Sequence, residues 1–542
     1  MTILQRLATI IDTLHSKGIM FGDLSANNVL IHPETLDVKI VDLEGAHEEG
    51  STENTRQYTP GFADAGQMAG AEPSHASDYY AFGAIMLYLL THINNVLELK
   101  PAARDEVLHA MTRDFGLPLE MANAIKNLLN DDPEKRGQPS ILLHDLQGGA
   151  IRKIGRIGFT TKRPRLDLPQ DEILELVRES CRFVKTNADY RRKDRLFPAD
   201  TLVFETNPLS LAHGAAGIAY ALNRIESKTE PAILDWIKKQ EVSPENYAPG
   251  LYIGTSGIAW ALLELGQEAA AESLFDTSFG HPLLPTAPGL YHGLAGWGMA
   301  NLRFWSTTKR DVYLGNARKA ASALLEAAKV DKAGLHWAQE DGLVQYGLAH
   351  GASGIGLFLL YLHAATGDDR YKQAAISALD YDLEKAEATP SGGMTWPKDN
   401  DPHKVLYPYW AQGSAGIGII SLRFLKALGD PRYLDFLDHI HIDCDRKYTI
   451  YPGRNDGLAG IGEFLIDAFQ ATADEKYLDS AYRIAAGLKI FARRDDDGIS
   501  FPGNGLARIS CDYATGTIGI ASFLDRLMTG RRSDFMLDEL IK

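Results

Sequence analysis

The stretch Leu348-Ala349-His350-Gly351-Ala352-Ser353-Gly354-Ile355-Gly356-Leu357-Phe358-Leu359-Leu360-Tyr361-Leu362 is apolar on every side after its two leading glycines. A helix without a polar face is buried all round, so this segment predicts an inner helix shielded by others. The same G-x-x-G followed by an apolar run recurs at Gly214/Gly217, Gly254/Gly257, Gly293/Gly296, Gly413/Gly416, Gly457/Gly460 and Gly516/Gly519. With Gly351/Gly354 that makes seven copies, about 40 to 60 residues apart, which is room for a helix pair and its loops. The segments between them are amphipathic. In Asp474–Ala492, Tyr477, Leu478, Ala481, Ile484 and Leu488 fall along one face.

Smaller recurrences support the unit. D-x-x-Y stands at Asp368/Tyr371, Asp430/Tyr433 and Asp474/Tyr477, where Asp suits a helix N-cap. Gly-apolar-x-aromatic stretches precede inner helices at Gly334–Trp337, Gly393–Trp396 and Gly498–Phe501. The run Asp495-Asp496-Asp497-Gly498 reads as a turn ahead of the last of these. Together these features predict a mostly α chain whose residues 171–542 form a closed α/α toroid of seven helix pairs. Inner-helix N-termini, with unsatisfied N–H groups, gather at one end of that ring.

At 542 residues the chain is too long for a single core. A net charge of −16 argues against nucleic acid as a partner. Cys181, Cys444 and Cys511 are far apart and form no C-x-x-C pair, which suggests a reducing compartment. The N-terminus has no signal-peptide pattern, and no apolar run reaches the ~18 residues of a membrane span. A cytoplasmic location and no membrane association are therefore expected. Residues 147–170 are rich in Arg, Lys, Gly and Pro and are expected to be a basic linker.

Residues 1–146 have another character. An amphipathic helix (Ile3, Leu4, Leu7, Ile10, Ile11, Leu14) leads into Phe21-Gly22-Asp23-Leu24-Ser25-Ala26-Asn27-Asn28-Val29-Leu30, and β-rich Val38-Lys39-Ile40-Val41 runs into Asp42-Leu43-Glu44. Ser77-Asp78-Tyr79-Tyr80-Ala81-Phe82-Gly83 and Asp131-Asp132-Pro133-x-x-Arg136 follow. This segment resembles a protein-kinase C-lobe. The resemblance implies Asp23 as the kinase base, with Asn28 and Asp42 holding Mg as part of a Mg-ATP site. Phe21-Gly22 replace the family's His-Arg, and Leu43-Glu44 replace its Phe-Gly. The chain begins inside the helix before this loop, without a Gly-rich loop, β3 Lys or αC Glu. A C-lobe inactive by itself is expected, with the N-lobe absent.

F-G-D-L-S-x-N-N followed by the toroid resembles the class III lanthipeptide synthetases, in which a lyase, a kinase and a LanC-like cyclase are fused in that order. The resemblance implies a ribosomal precursor peptide as substrate, phosphorylated on Ser/Thr by the kinase and cyclised by the toroid. It also allows for a separate lyase/kinase N-lobe polypeptide. Trp410-Ala411-Gln412-Gly413 and Asn455-Asp456-Gly457 stand where zinc-dependent LanC enzymes carry W-C-x-G and C-H-G. Ala411, Asn455 and Asp456 thus take the three ligand positions, and no zinc is expected. His350 matches the A-H-G histidine, an acid/base for thiol addition, and His292 and His213 share its pre-glycine slot. Tyr291, Tyr407, Tyr409 and Trp410 are expected to line the pocket. The alternatives are a non-catalytic remnant that binds the precursor's leader peptide, and a toroid glycosidase. The glycosidase would need two carboxylates across the pocket, and of the pre-glycine residues only Asp456 is acidic.

Overall fold

The computed structural model describes residues 1–51, 57–149, 168–339 and 341–541. The chain divides into two compact units within the basic stretch 147–170. Most of that stretch, read above as a linker, lies outside the described residues.

In the first unit the leading helix, Thr2–His15, buries Leu4, Leu7, Ala8 and Ile11, the stripe its apolar spacing sets up. Val29–Ile31 and Val38–Ile40 pair as an antiparallel hairpin. The helix His75–Thr91 starts with a capping box between Ser74 and Ser77 and buries Ser77, Asp78 and Ala81 to Leu87. Asp78 lies deep in the unit and fixes the loop before it: its carboxylate accepts from Phe21 N (2.8 Å) and Gly22 N (3.0 Å) and meets His15 Nε2 at 2.8 Å. Gly22 has φ +80°, and a Cβ there would stand 2.3 Å from the Gly45 carbonyl. Glycine in place of the kinase arginine is thus required by the backbone at this point. Arg136 is buried on Asp64 (2.5 Å) and also donates to the carbonyls of Ala76 and Asn130.

In the second unit the seven apolar runs are seven helices: Ala215–Glu226, Thr255–Glu264, Leu294–Thr308, Ala352–Thr366, Ser414–Leu428, Leu458–Thr472 and Thr517–Thr529. Each has the first glycine of its G-x-x-G as N-cap. Each packs on its two inner neighbours, the seventh on the first, which closes the ring. Outer helices Pro231–Lys238, Glu268–Asp276, Asp311–Ala327, Asp369–Leu383, Arg432–Cys444 and Glu475–Leu488 cover the first six, and Gln170–Thr186 covers the seventh. The carboxylates of Asp368, Asp430 and Asp474 each accept the N–H two residues on, so the D-x-x-Y motif does start outer helices.

The segments just before the inner helices are joined in a cycle of backbone hydrogen bonds. Ala212 N donates to Tyr252 O, Tyr252 N to Tyr291 O, Tyr291 N to Ala349 O, Ala349 N to Ala411 O, Ala411 N to Asn455 O, Asn455 N to Ala514 O and Ala514 N back to Ala212 O, all at 2.8–2.9 Å. The second glycine of every motif is explained by its own loop. A Cβ at Gly217, Gly257, Gly296, Gly354, Gly416, Gly460 or Gly519 would stand 1.6–2.2 Å from the carbonyl six residues earlier.

That loop also corrects the expectation of free helix N-termini. Ala215, Thr255, Leu294, Ala415, Leu458 and Thr517 donate to the carbonyls of Pro208, Ala248, Ala287, Pro408, Tyr451 and Ser510. In the fourth repeat Asp382, from the outer helix, accepts from Gly347 N and from Ser353 N and Oγ instead. These N–H groups are spent on the fold and do not stand open to a ligand.

The Gly-apolar-x-aromatic stretches enter short hairpins, pairing Lys329–Val330 with Leu335–His336, Glu387–Ala388 with Met394–Pro397, and Arg493–Asp495 with Gly498–Ser500. The turn expected at Asp495–Gly498 links the last pair. At the opposite end of the ring, residues 531–541 enter from the C-terminal side of the inner helices. Asp534 accepts from the Tyr220 and Tyr513 hydroxyls at 2.9 and 2.7 Å. Phe535 is buried among the rings of Tyr220, Tyr252, Trp260 and Tyr513. Asp538 takes Arg423 (2.9 Å) and the Tyr361 hydroxyl (2.5 Å). This segment fills the axis from behind.

Candidate functional site

Backbone segments joined by such hydrogen bonds lie about 4.8 Å apart, as neighbouring strands do, so a seven-membered cycle of them is about 11 Å across. One residue after each ladder residue comes the pre-glycine position. Ile253, His292, His350, Gln412, Asp456 and Thr515 are half-buried there and rim the mouth. His213, in the first slot, is buried. The ladder therefore presents one side chain per repeat at one level, and the chemistry of the mouth is set by those residues.

The structure brings His292 and His350 together, with ring centroids 4.9 Å apart. Tyr291 lies 5.4 Å from the His350 ring and stacks on Tyr252 at 4.9 Å and 6°. Its hydroxyl accepts from Asn455 Nδ2 at 2.9 Å, a bond that crosses the ring from the third repeat to the sixth. Burial, with His292 next to it, pushes His350 down to about 3. Burial lowers His292 as well. Both imidazoles are neutral near pH 7. His350 Nδ1 is buried without a hydrogen-bond partner. Asp456 is raised by burial to about 6. Among the described residues no hydrogen bond or ion pair engages its carboxylate.

His213 is held apart from this pair by a different contact. Its Nδ1 lies 3.7 Å from Asp512 Oδ2, an ion-pair distance and not a hydrogen bond. Burial would raise Asp512, but His213, Ser510 and the N–H of Thr515 outweigh it and the carboxyl is lowered. Asp512 also accepts from Gly516 N, so the histidine faces a carboxylate already built into a helix start. Of the aromatic residues expected to line the pocket, Tyr407 and Tyr409 pair at 5.4 Å. Trp410 is wholly buried, with the Arg454 guanidinium 4.7 Å over its ring, and belongs to the core.

In the first unit Asp23 Oδ1 accepts from the Thr59 hydroxyl at 2.8 Å, and Asn28 Nδ2 donates to Asp23 O at 2.9 Å. Asn28 turns its amide nitrogen inward, which leaves its carbonyl oxygen as the atom suited to a cation. Val41 N bonds Asn28 O at 3.0 Å, drawing the next segment alongside, and Asp42 is exposed with φ +60°.

A family model described as lanthionine synthetase C-like protein matches residues 205–538. The chain belongs to the lanthionine synthetase C-like family. A protein kinase domain model matches residues 1–145. A curated relative, "Probable SapB synthase" of Streptomyces coelicolor (strain ATCC BAA-471 / A3(2) / M145), is 26% identical over 539 residues. That match covers 95% of this chain and 56% of the relative, so the chain spans about half of the relative's length. Among solved structures a "Nisin cyclase" chain aligns with a TM-score of 0.48 and 19% identity, over 61% of this chain and 90% of that one.

Within the lanthionine synthetase C-like unit, zinc can be tested against the donors present. Ala411 offers no ligand atom, and the Asn455 amide is bound to Tyr291. Among the described residues no group of three His, Cys, Asp or Glu side chains could hold a metal ion. The donor set does not fit zinc. Cys181, Cys444 and Cys511 are free and buried, and burial pushes Cys181 up to about 12. Sequence reasoning missed the Tyr291–Asn455 bond and the half-buried, unengaged carboxylate of Asp456. The signal for Asp456 was its place as the one acid among the seven pre-glycine residues. No helix among the described residues is long and apolar enough to cross a membrane.

Proposed function

We propose that the toroid adds cysteine thiols of a ribosomal precursor peptide to dehydroalanine or dehydrobutyrine residues, without zinc. The observation that carries this is the close pair of neutral imidazoles, His292 and His350, at the mouth of the ring. Addition of a thiol to an alkene needs a base to take the thiol proton and an acid to protonate the enolate. A neutral imidazole can accept a hydrogen bond from the thiol and carry its proton as sulfur attacks. The match to a lanthionine synthetase C-like model supports the cyclase assignment, and the likeness to a probable synthase supports a biosynthetic role.

The first unit supplies kinase-like groups: Asp23 as base toward a Ser/Thr hydroxyl, Asn28 and Asp42 as Mg ligands. The Asp23–Thr59 and Asn28–Asp23 contacts support that assignment. Mg-ATP would supply the phosphoryl group and its charge neutralisation. By itself this unit is proposed to be inactive, because Phe21-Gly22 and Leu43-Glu44 depart from the kinase pattern beside the base and the metal ligand.

Thiol addition leaves the peptide mass unchanged, so the test counts thiols. The chain is incubated with a dehydrated, cysteine-containing precursor and the remaining thiols are alkylated. Loss of alkylation faster than in buffer supports the cyclase. Bound peptide with its thiols intact favours a leader-peptide-binding role instead. A Mg-ATP titration tests the first unit, where low-micromolar affinity contradicts inactivity.

A further inference from the structure

We infer that Asp456 is the proton donor to the enolate carbon in this reaction, an inference that rests on the cyclase reading above. Three observations place it. The backbone cycle puts Asp456 on the same rim as His292 and His350, in the sixth slot against their third and fourth. For a ring about 11 Å across, backbones two slots apart, such as those of His350 and Asp456, are about 9 Å from each other. The residue before it, Asn455, reaches across to Tyr291, which lies against the His350 ring, so the acid and the imidazoles flank one aromatic wall.

The second observation is the lack of engagement. Buried or half-buried carboxylates elsewhere in the ring are committed to the fold: Asp382 caps the fourth inner helix, Asp443 holds Ser414 at 2.5 Å, Asp512 caps the seventh, and Asp467 is paired with Arg423. Asp456 has no such bond among the described residues, although it is half-buried. The third is the division of labour. His350 is pushed well down and keeps no proton to give at pH 7, whereas burial pushes Asp456 up to about 6, so a minor fraction keeps its proton near neutral pH.

The step balances without a further reactant. The thiol proton passes to a ring nitrogen of His350, and the sulfur lone pair forms the C–S bond at the β-carbon. The alkene π pair becomes the enolate, and the Asp456 carboxyl delivers its proton to the α-carbon. The imidazolium then returns a proton to the carboxylate through solvent. The net change is S–H added across C=C.

The test uses the full chain and a synthetic peptide carrying one dehydroalanine and one cysteine. Thiol loss is timed, and the configuration of the new α-carbon is read by chiral chromatography of the hydrolysed product. Wild type is expected to give one diastereomer in large excess. Asp456→Asn is expected to slow thiol loss at least tenfold and to yield both diastereomers, with its melting temperature within a few degrees of wild type. Asp456→Glu, which keeps the acid one methylene further out, is expected to keep the single diastereomer at reduced rate, and it decides the matter if the Asn variant does not fold. Wild-type rate and a single diastereomer from Asp456→Asn, or mixed diastereomers from Asp456→Glu, overturn the inference while leaving the cyclase reading intact. Wild type that leaves the thiols unreacted overturns both.

Discussion

The backbone N–H of Ala514 donates to the carbonyl of Ala212 at 2.9 Å, and this bond closes the cycle that carries the rim of the site. Because every pre-glycine side chain hangs from one member of the cycle, a distortion in any repeat reaches the mouth.

The second glycines give the sharpest test of that dependence. Gly460→Ala would place a methyl 1.8 Å from the Arg454 carbonyl and 2.7 Å from Trp410 Cβ. It is expected to cost more than about 3 kcal/mol. Gly315→Ala, in the outer helix Asp311–Ala327 with nothing near its Cβ, is expected to stabilise by about 0.5–1 kcal/mol. Urea unfolding of both variants measures the difference in sign.

Residues 531–541 support the site from behind through the contacts Phe535–Tyr252 and Tyr252–Tyr291. Phe535→Ala opens a cavity in the axis and is expected to cost about 3–5 kcal/mol. Asp534→Ala leaves the Tyr220 and Tyr513 hydroxyls buried without an acceptor, for about 1–3 kcal/mol. Calorimetric melting of the two variants checks both.

Asp78 organises the kinase-like loop from beneath. Asp78→Ala strands two backbone N–H groups and the His15 ring, and is expected to destabilise the first unit by about 2–4 kcal/mol. Hydrogen exchange at Phe21 and Gly22 should rise, while the ring's ladder amides stay protected.

The rim has opposing pH dependences. His350 is depressed to about 3 in the fold, against about 6.5 unfolded. The unfolded chain therefore binds the extra proton, and stability is lost as pH falls from about 6.5 toward 3. Asp456 is raised to about 6, so the folded state holds its proton longer. Its ionisation removes stability as pH rises from about 4 to 6. Between pH 6.5 and 5, His350→Gln should lose less stability than wild type, by at most about 2 kcal/mol, and Asp456→Asn should lose more. Denaturant midpoints at the two pH values decide this.

Much of the ring is legible in the sequence, because its inner helices have no polar face and its outer ones start on Asp, as at Asp368 and Asp474. The β-rich stretch from Val38 to Val41 is equally plain, whereas its pairing with Val29–Ile31 is not. Other features carry no such mark. The bond from Ala514 to Ala212 joins backbone atoms, which no side-chain pattern encodes. The satisfied helix starts depend on carbonyls such as Pro208 and Tyr451 folding back over seven residues, a loop conformation without periodicity. Asp534, Phe535 and Asp538 lie outside the repeat, so nothing in its rhythm points to them. At the site, His350 and His292 stood out by their slots. His213 shared the slot but faces Asp512, and Asp456 read as a lost histidine until its unengaged carboxylate was seen.

The central claim, metal-free thiol addition at the histidine end of the ring, is tested most directly by counting thiols in a dehydrated precursor with excess zinc chelator present. The expected result is loss of thiols at the same rate with and without chelator, and at least a tenfold slower loss with His350→Gln. Thiols that persist in the wild-type reaction, or a reaction that the chelator abolishes, would contradict it.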